Sequence, residues 1–174
     1  MYWGTSLRSK RRRGARLHLP RRTWSGVFGT MAMLGFLLSH PSGAEEPAEL
    51  VVIVHPSSPV RVLSANDLRA VFTRVLRDWP DRTPVTAINF APSVPERAVF
   101  DRVVLGMDPD DVAQFWIDQM IRGDSPPPRQ LPSAAAIVDL VSRTPGAIGY
   151  VPESKLKLRA KVVARIRRGQ VVMP

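Results

Sequence analysis

Apolar runs and apolar faces of helical period alternate from residue 50 to residue 166. Leu50–His55 (LVVIVH) is apolar almost throughout and is closed by Pro56-Ser57-Ser58-Pro59. A run of that length predicts a strand buried on both faces of a mainly parallel sheet. Ser64 stands three residues before Asp67, the spacing of a capping box, and Leu68, Val71 and Phe72 supply the inward face of the helix it opens. Trp79-Pro80 marks a packed turn. Val85–Phe90 is a second strand. Ser93 then precedes Glu96 by three, with Pro95 in the first turn, which predicts a second helix start. Val99 and Val103, flanked by Phe100 and Val104, continue it, and Gly106 supplies its stop.

Asp108-Pro109 opens another helix with Asp111 in its first turn. Val112, Phe115, Trp116, Gln119 and Met120 trace its face, and Gly123 ends it. Ser125–Pro128 (SPPP) fits neither a helix nor a central strand, because proline lacks the N–H that both need. Arg129–Leu131 is a brief strand. Ser133 caps a helix to about Arg143 that turns Ile137, Leu140 and Val141 inward. Ala147–Val151 is a third apolar strand and Val162–Ile166 a terminal one.

Strands alternating with helices give an α/β fold class: a mainly parallel sheet flanked by helices. In such sheets ligands bind beyond the carboxyl ends of the strands, beside helix N-termini. Three serine-bearing loops meet that description: Pro56–Ser58, Ala91–Val94 and Pro132–Ala135. The candidate oxyanion ligands are therefore Ser57, Ser58, Ser93 and Ser133 by their hydroxyls, with Arg97 one turn into the second helix.

Charge changes the picture less than its total suggests. The 174 residues carry 25 basic and 15 acidic side chains, for +10. Residues 1–44 hold eight of the basic ones and none of the acidic, leaving a near-balanced 17 against 15. Those first residues read as an export signal: a basic region to Arg22, an apolar run over Val27–Leu38, and Ser42-Gly43-Ala44 as a cleavage site. The expectation is a signal peptide over 1–44 and a single periplasmic domain over 45–174. Export and balanced charge disfavour nucleic acid as a partner. The basic segment Lys155–Arg168, with seven basic residues and no acid, suits either docking or a solvated terminal strand. The chain has no cysteine, and His55 is the sole histidine after residue 44. His55 has no cysteine or second histidine to complete a nucleophile–base pair or metal site, and of the carboxylates Asp108, Asp110 and Asp111 read as helix N-terminal charges, so no enzyme, metal or cofactor is expected.

Leu63-Ser64-Ala65-Asn66-Asp67-Leu68, followed by Val71-Phe72 and Trp79, resembles a segment of the phosphate-binding proteins of ABC phosphate transporters. Pro145-Gly146-Ala147-Ile148-Gly149-Tyr150 is similar to their P-G-A-I-G-Y segment. The resemblance spans roughly Val51–Pro152 and implies one lobe of a two-lobed periplasmic binding protein. It departs where the family carries a Ser-Gly-Thr anion loop: here stands Ala91-Pro92-Ser93-Val94-Pro95, and only Ser93 carries over. The implied function is binding of phosphate or a related oxyanion for an ABC transporter. The alternative is an exported interaction or sensory accessory protein that keeps the lobe without the anion and docks on a membrane transporter or sensor.

Overall fold

The computed structural model describes residues 49–156 and 160–174, so the expected signal segment over 1–44 lies outside the described residues. The order is β1 (Leu50–Val54), α1 (Ala65–Phe72), β2 (Thr86–Phe90), α2 (Pro95–Phe100), α3 (Pro109–Ile121), β3 (Arg129–Leu131), α4 (Ala134–Arg143), β4 (Ala147–Pro152), β5 (Lys161–Arg167) and β6 (Gln170–Val172). A π-helical turn, Asp101–Leu105, continues α2, and a 3-10 turn, Glu153–Lys155, follows β4.

The six strands form one sheet in the order β3-β2-β4-β1-β5-β6. It is an α/β sheet, as expected, but mixed rather than mainly parallel. Strands β2, β3 and β4 are parallel, whereas β1 runs antiparallel to both β4 and β5, and β6 antiparallel to β5. All five residues of β1 are buried. Burial on both faces produces an unbroken apolar run whichever way the neighbours point.

Helix α4 covers one face of the sheet. A Cβ placed on Gly149 of β4 would lie 2.7 Å from Ile137 of α4, so this strand position needs glycine for the helix to seat. The opposite face carries the aromatic cluster. Tyr150 stacks on Phe100 at 3.7 Å between ring centroids and meets Phe72 and Phe90 edge-on. Trp79 is buried and its Nε1 donates to the Gly146 carbonyl at 2.9 Å, tying the β2 approach to the turn before β4. Gly146 adopts φ +80°, and a Cβ there would overlap the Pro84 carbonyl oxygen.

Trp79, Trp116 and Ile148 are buried as expected; Phe115 is only half-buried, and Met120 is exposed. Helix α3 buries Val112 and Trp116 alone, so its inward stripe is narrower than the sequence suggested.

Candidate functional site

Topology separates the five candidate ligands. Phe90 of β2 sits beside Leu131 of β3 in parallel register, and each strand runs into its serine loop at the same edge of the sheet. The Ala91 N–H donates to the Leu131 carbonyl at 2.9 Å, which joins the two loops directly. Ser93 and Ser133 therefore share the carboxyl edge, as expected. Ser57 and Ser58 do not. Because β1 is antiparallel, its carboxyl end meets the start of β4, where the His55 N–H donates to the Ala147 carbonyl at 3.2 Å. A five-residue strand spans roughly 15 Å at about 3.3 Å per residue, so these two serines sit that far from the edge. Both also have local partners: Ser57 Oγ is 2.7 Å from His55 Nδ1, and Ser58 Oγ accepts from the Val60 N–H at 3.3 Å. The Ser58 carbonyl is further held by Lys161 Nζ at 2.9 Å.

At the carboxyl edge, Ser133 caps α4, accepting from the Ala136 N–H at 3.3 Å. Ser93 does not cap α2. The N-cap is Val94, with no side-chain hydrogen bond, because Pro95 starts the helix one residue later than the Ser93–Glu96 spacing implies. The loop also has few donors left for an anion. Pro92 and Pro95 have no N–H. The N–H groups of Ala91, Val94 and Arg97 are spent on Leu131, Ala91 and Val94 carbonyls. Those of Ser93 and Glu96 remain.

Arg97 is the largest correction. Instead of facing the edge it is buried, at 6% exposure. Its Nε donates to Asp101 Oδ2 at 2.5 Å and its Nη1 to the Phe90 carbonyl at 2.9 Å. One turn of helix places Arg97 and Asp101 on the same face, and the guanidinium bolts that face to the end of β2. Asp101 is buried too, and its Oδ1 accepts from no described group. Burial pushes the Asp101 carboxyl above its ordinary range, against the opposing pull of Arg97. Beside this pair the Tyr150 hydroxyl donates to Asn89 Oδ1 at 2.5 Å, and burial pushes the phenol up as well. Asn89 and Tyr150 become neighbours through the parallel register of β2 and β4. The i, i+4 spacing of Arg97 and Asp101 was visible in the sequence; the Asn89–Tyr150 contact joins residues 61 positions apart and had no local signal.

The basic C-terminal segment reaches the same edge by β5, where Arg165 and Arg167 are matched by carboxylates. Glu153 accepts from Arg165 and, at 2.9 Å, from Arg167, whose Nε lies 3.1 Å from Glu49. Hydrogen bonds from Arg167 and then Arg165 hold the Glu153 carboxyl below its ordinary range. Among the described residues no group of three or more ligating side chains is placed to hold a metal ion.

No family model and no curated protein matches the chain. Solved structures do. An ABC-type phosphate transport receptor from Vibrio cholerae superposes with a TM-score of 0.54 at 15% identity, over 68% of this chain and 47% of that one. A putative phosphate ABC transporter substrate-binding protein from Clostridium perfringens, with bound phosphate, gives 0.55 at 18%, over 68% and 46%. PstS from Borrelia burgdorferi gives 0.52 at 16%, over 67% and 47%. About two thirds of the chain is thus similar to about half the length of these proteins. What it shares with phosphate-transport receptors is the α/β fold of a lobe-sized portion of them.

Proposed function

We propose that the protein is an exported accessory lobe that keeps the architecture of a phosphate-transport receptor and works by contact with a membrane transporter or sensor. The observation that carries this reading is the commitment of Arg97. Its guanidinium is neutralised by Asp101 and spent on the Phe90 carbonyl, inside the fold. The serine loop beside it keeps two backbone donors and no free cation of its own. An anion at that edge would lose its hydration for little return. Helix α3 supports the contact role. Ile117, Met120 and Ile121 are exposed on it by 45%, 56% and 78%, side chains of the kind that interfaces bury.

Phosphate binding is the second reading, favoured by one specific observation: Ser93 and Ser133 do share the carboxyl edge. Isothermal titration of the protein with phosphate and sulfate separates the two. The accessory reading expects no heat at millimolar anion. Saturable binding that weakens roughly 10- to 150-fold in Ser93→Ala or Ser133→Ala would replace it with an oxyanion receptor, since a hydrogen bond to a charged group is worth about 1.5–3 kcal/mol. Crosslinking in the native host supplies the positive arm. An adduct with a membrane protein should disappear in Ile117→Glu/Ile121→Glu, and an adduct indifferent to those substitutions would move the contact off α3.

A further inference from the structure

Helix α3 carries three carboxylates, Asp110, Asp111 and Asp118, and no lysine or arginine along its 13 residues, in a chain of net charge +10. Among the described residues none of the three forms an ion pair. The arginines near the two ends of the helix are committed elsewhere: Arg102 to Asp108, and Arg122 to Asp124. Asp110 and Asp111 stand at the start, where the helix dipole favours negative charge. Asp118 does not. It lies in the last turn, where the dipole opposes a carboxylate, and it accepts from the neutral Gln114 amide at 2.7 Å. Helical period sets these groups in two adjacent rows. Ala113, Ile117, Met120 and Ile121 form an exposed apolar row, and Asp111, Gln114 and Asp118 form the row beside it. Arg74 and Arg77 border α3 on its other flank, beside Gln119.

We infer that α3 docks on a cationic segment of the membrane transporter or sensor, one that sets lysine or arginine side chains against Asp111 and Asp118 and apolar side chains against Ile117 and Ile121. This rests on the accessory-lobe reading and adds the chemistry of the partner. Charge complementarity selects it. Unpaired carboxylates beside the apolar row repel anionic lipid headgroups, so this face is not suited to lying on a bilayer. They also oppose a second copy of the chain, because α3 set against α3 has carboxylates on both sides and a cation on neither. A basic segment neutralises one row and covers the other in a single contact, roughly 20 Å long at about 1.5 Å per residue.

The test places a photo-crosslinking side chain at position 114 of the full chain, between the two rows, and identifies adducts in native membranes by mass spectrometry. The adduct should form with a membrane protein, at a peptide bearing lysine or arginine. Its yield should fall with rising salt. It should also fall about tenfold or more in Asp111→Lys/Asp118→Lys, which leaves the apolar row intact, with thermal melting showing that the variant is folded. Changing the partner's basic residues to glutamate should then restore the adduct to the lysine variant. An adduct lost in Ile117→Glu/Ile121→Glu but undiminished in Asp111→Lys/Asp118→Lys keeps the accessory contact and overturns the cationic partner. Adducts between two copies of the chain, or flotation of the wild type with phosphatidylglycerol vesicles, overturn it in favour of self-association or a lipid surface. No adduct from position 114 takes the contact off α3 and overturns both readings of that helix.

Discussion

Arg97 and Asp101 oppose two large energies at one point. Burying either charge alone is costly, and their mutual attraction at 2.5 Å repays that only while both are present. Arg97→Met should therefore destabilise the protein by about 3–5 kcal/mol, because it leaves a bare carboxylate in the core. The double variant Arg97→Met/Asp101→Leu should recover most of that loss. Urea unfolding of the three proteins checks it: a double variant no more stable than the single one would mean that the hydrogen bond to Phe90 matters more than the charges. At this scale the sequence was a partial guide. It marked Arg97 as a functional cation beside the serine loop, and what it lacked was the depth of the side chain. An arginine one turn into a helix reads as exposed unless its carboxylate partner is known to be buried with it.

Elements were more legible than side-chain roles, because caps and glycines act locally. The Ser64–Asp67 capping box forms as its spacing implies: Ser64 Oγ receives the Asp67 N–H at 3.2 Å, and Asp67 Oδ2 receives the Ser64 N–H at 2.9 Å. Ser64→Ala should cost about 0.5–2 kcal/mol. The box also has a pH signature. Hydrogen bonds from Ser64 hold Asp67 below its ordinary value of 3.8, so the unfolded chain takes up this proton more readily than the folded one. Its contribution is present above that value and is lost as pH falls through the lowered folded one. Denaturation midpoints at pH 7 and pH 3 should converge in Asp67→Asn relative to wild type; an unchanged difference would mean the box is frayed in solution. The Pro145–Tyr150 turn and strand belong here too. Gly146→Ala meets both a left-handed backbone and the Pro84 carbonyl, and thermal melting should show a larger loss there than in Gly123→Ala, where a Cβ meets nothing. Where spacing misled, proline was the reason: Pro95 moved the start of α2 past Ser93.

Across the whole molecule, strand identity was legible and strand direction was not. Burial on both faces made Leu50–Val54 unmistakable as a strand, yet an apolar run carries no sign of which end points where. Assigning β1 the direction of its neighbours placed Ser57 and Ser58 in the wrong loop cluster, and one antiparallel pairing undoes that. The β5–β6 hairpin was missed for a related reason. Its turn uses Arg168 and Gly169, both at positive φ, and Arg-Gly is not among the common hairpin dipeptides.

The reversed direction of β1 also decides where labels belong. Leu50 enters the sheet opposite Pro152 and Ile166, at the serine edge, and β6, antiparallel to β5 as β1 is, leads away from that edge toward Pro174 on the outermost strand. A fluorophore joined through residue 49 would sit at the same edge as Ser93 and Ser133, two strands from β2, and report on events there. The same dye after Pro174 would sit on β6, four strands from β2, which makes position 174 the place for surface immobilisation and position 49 the place for a proximity sensor.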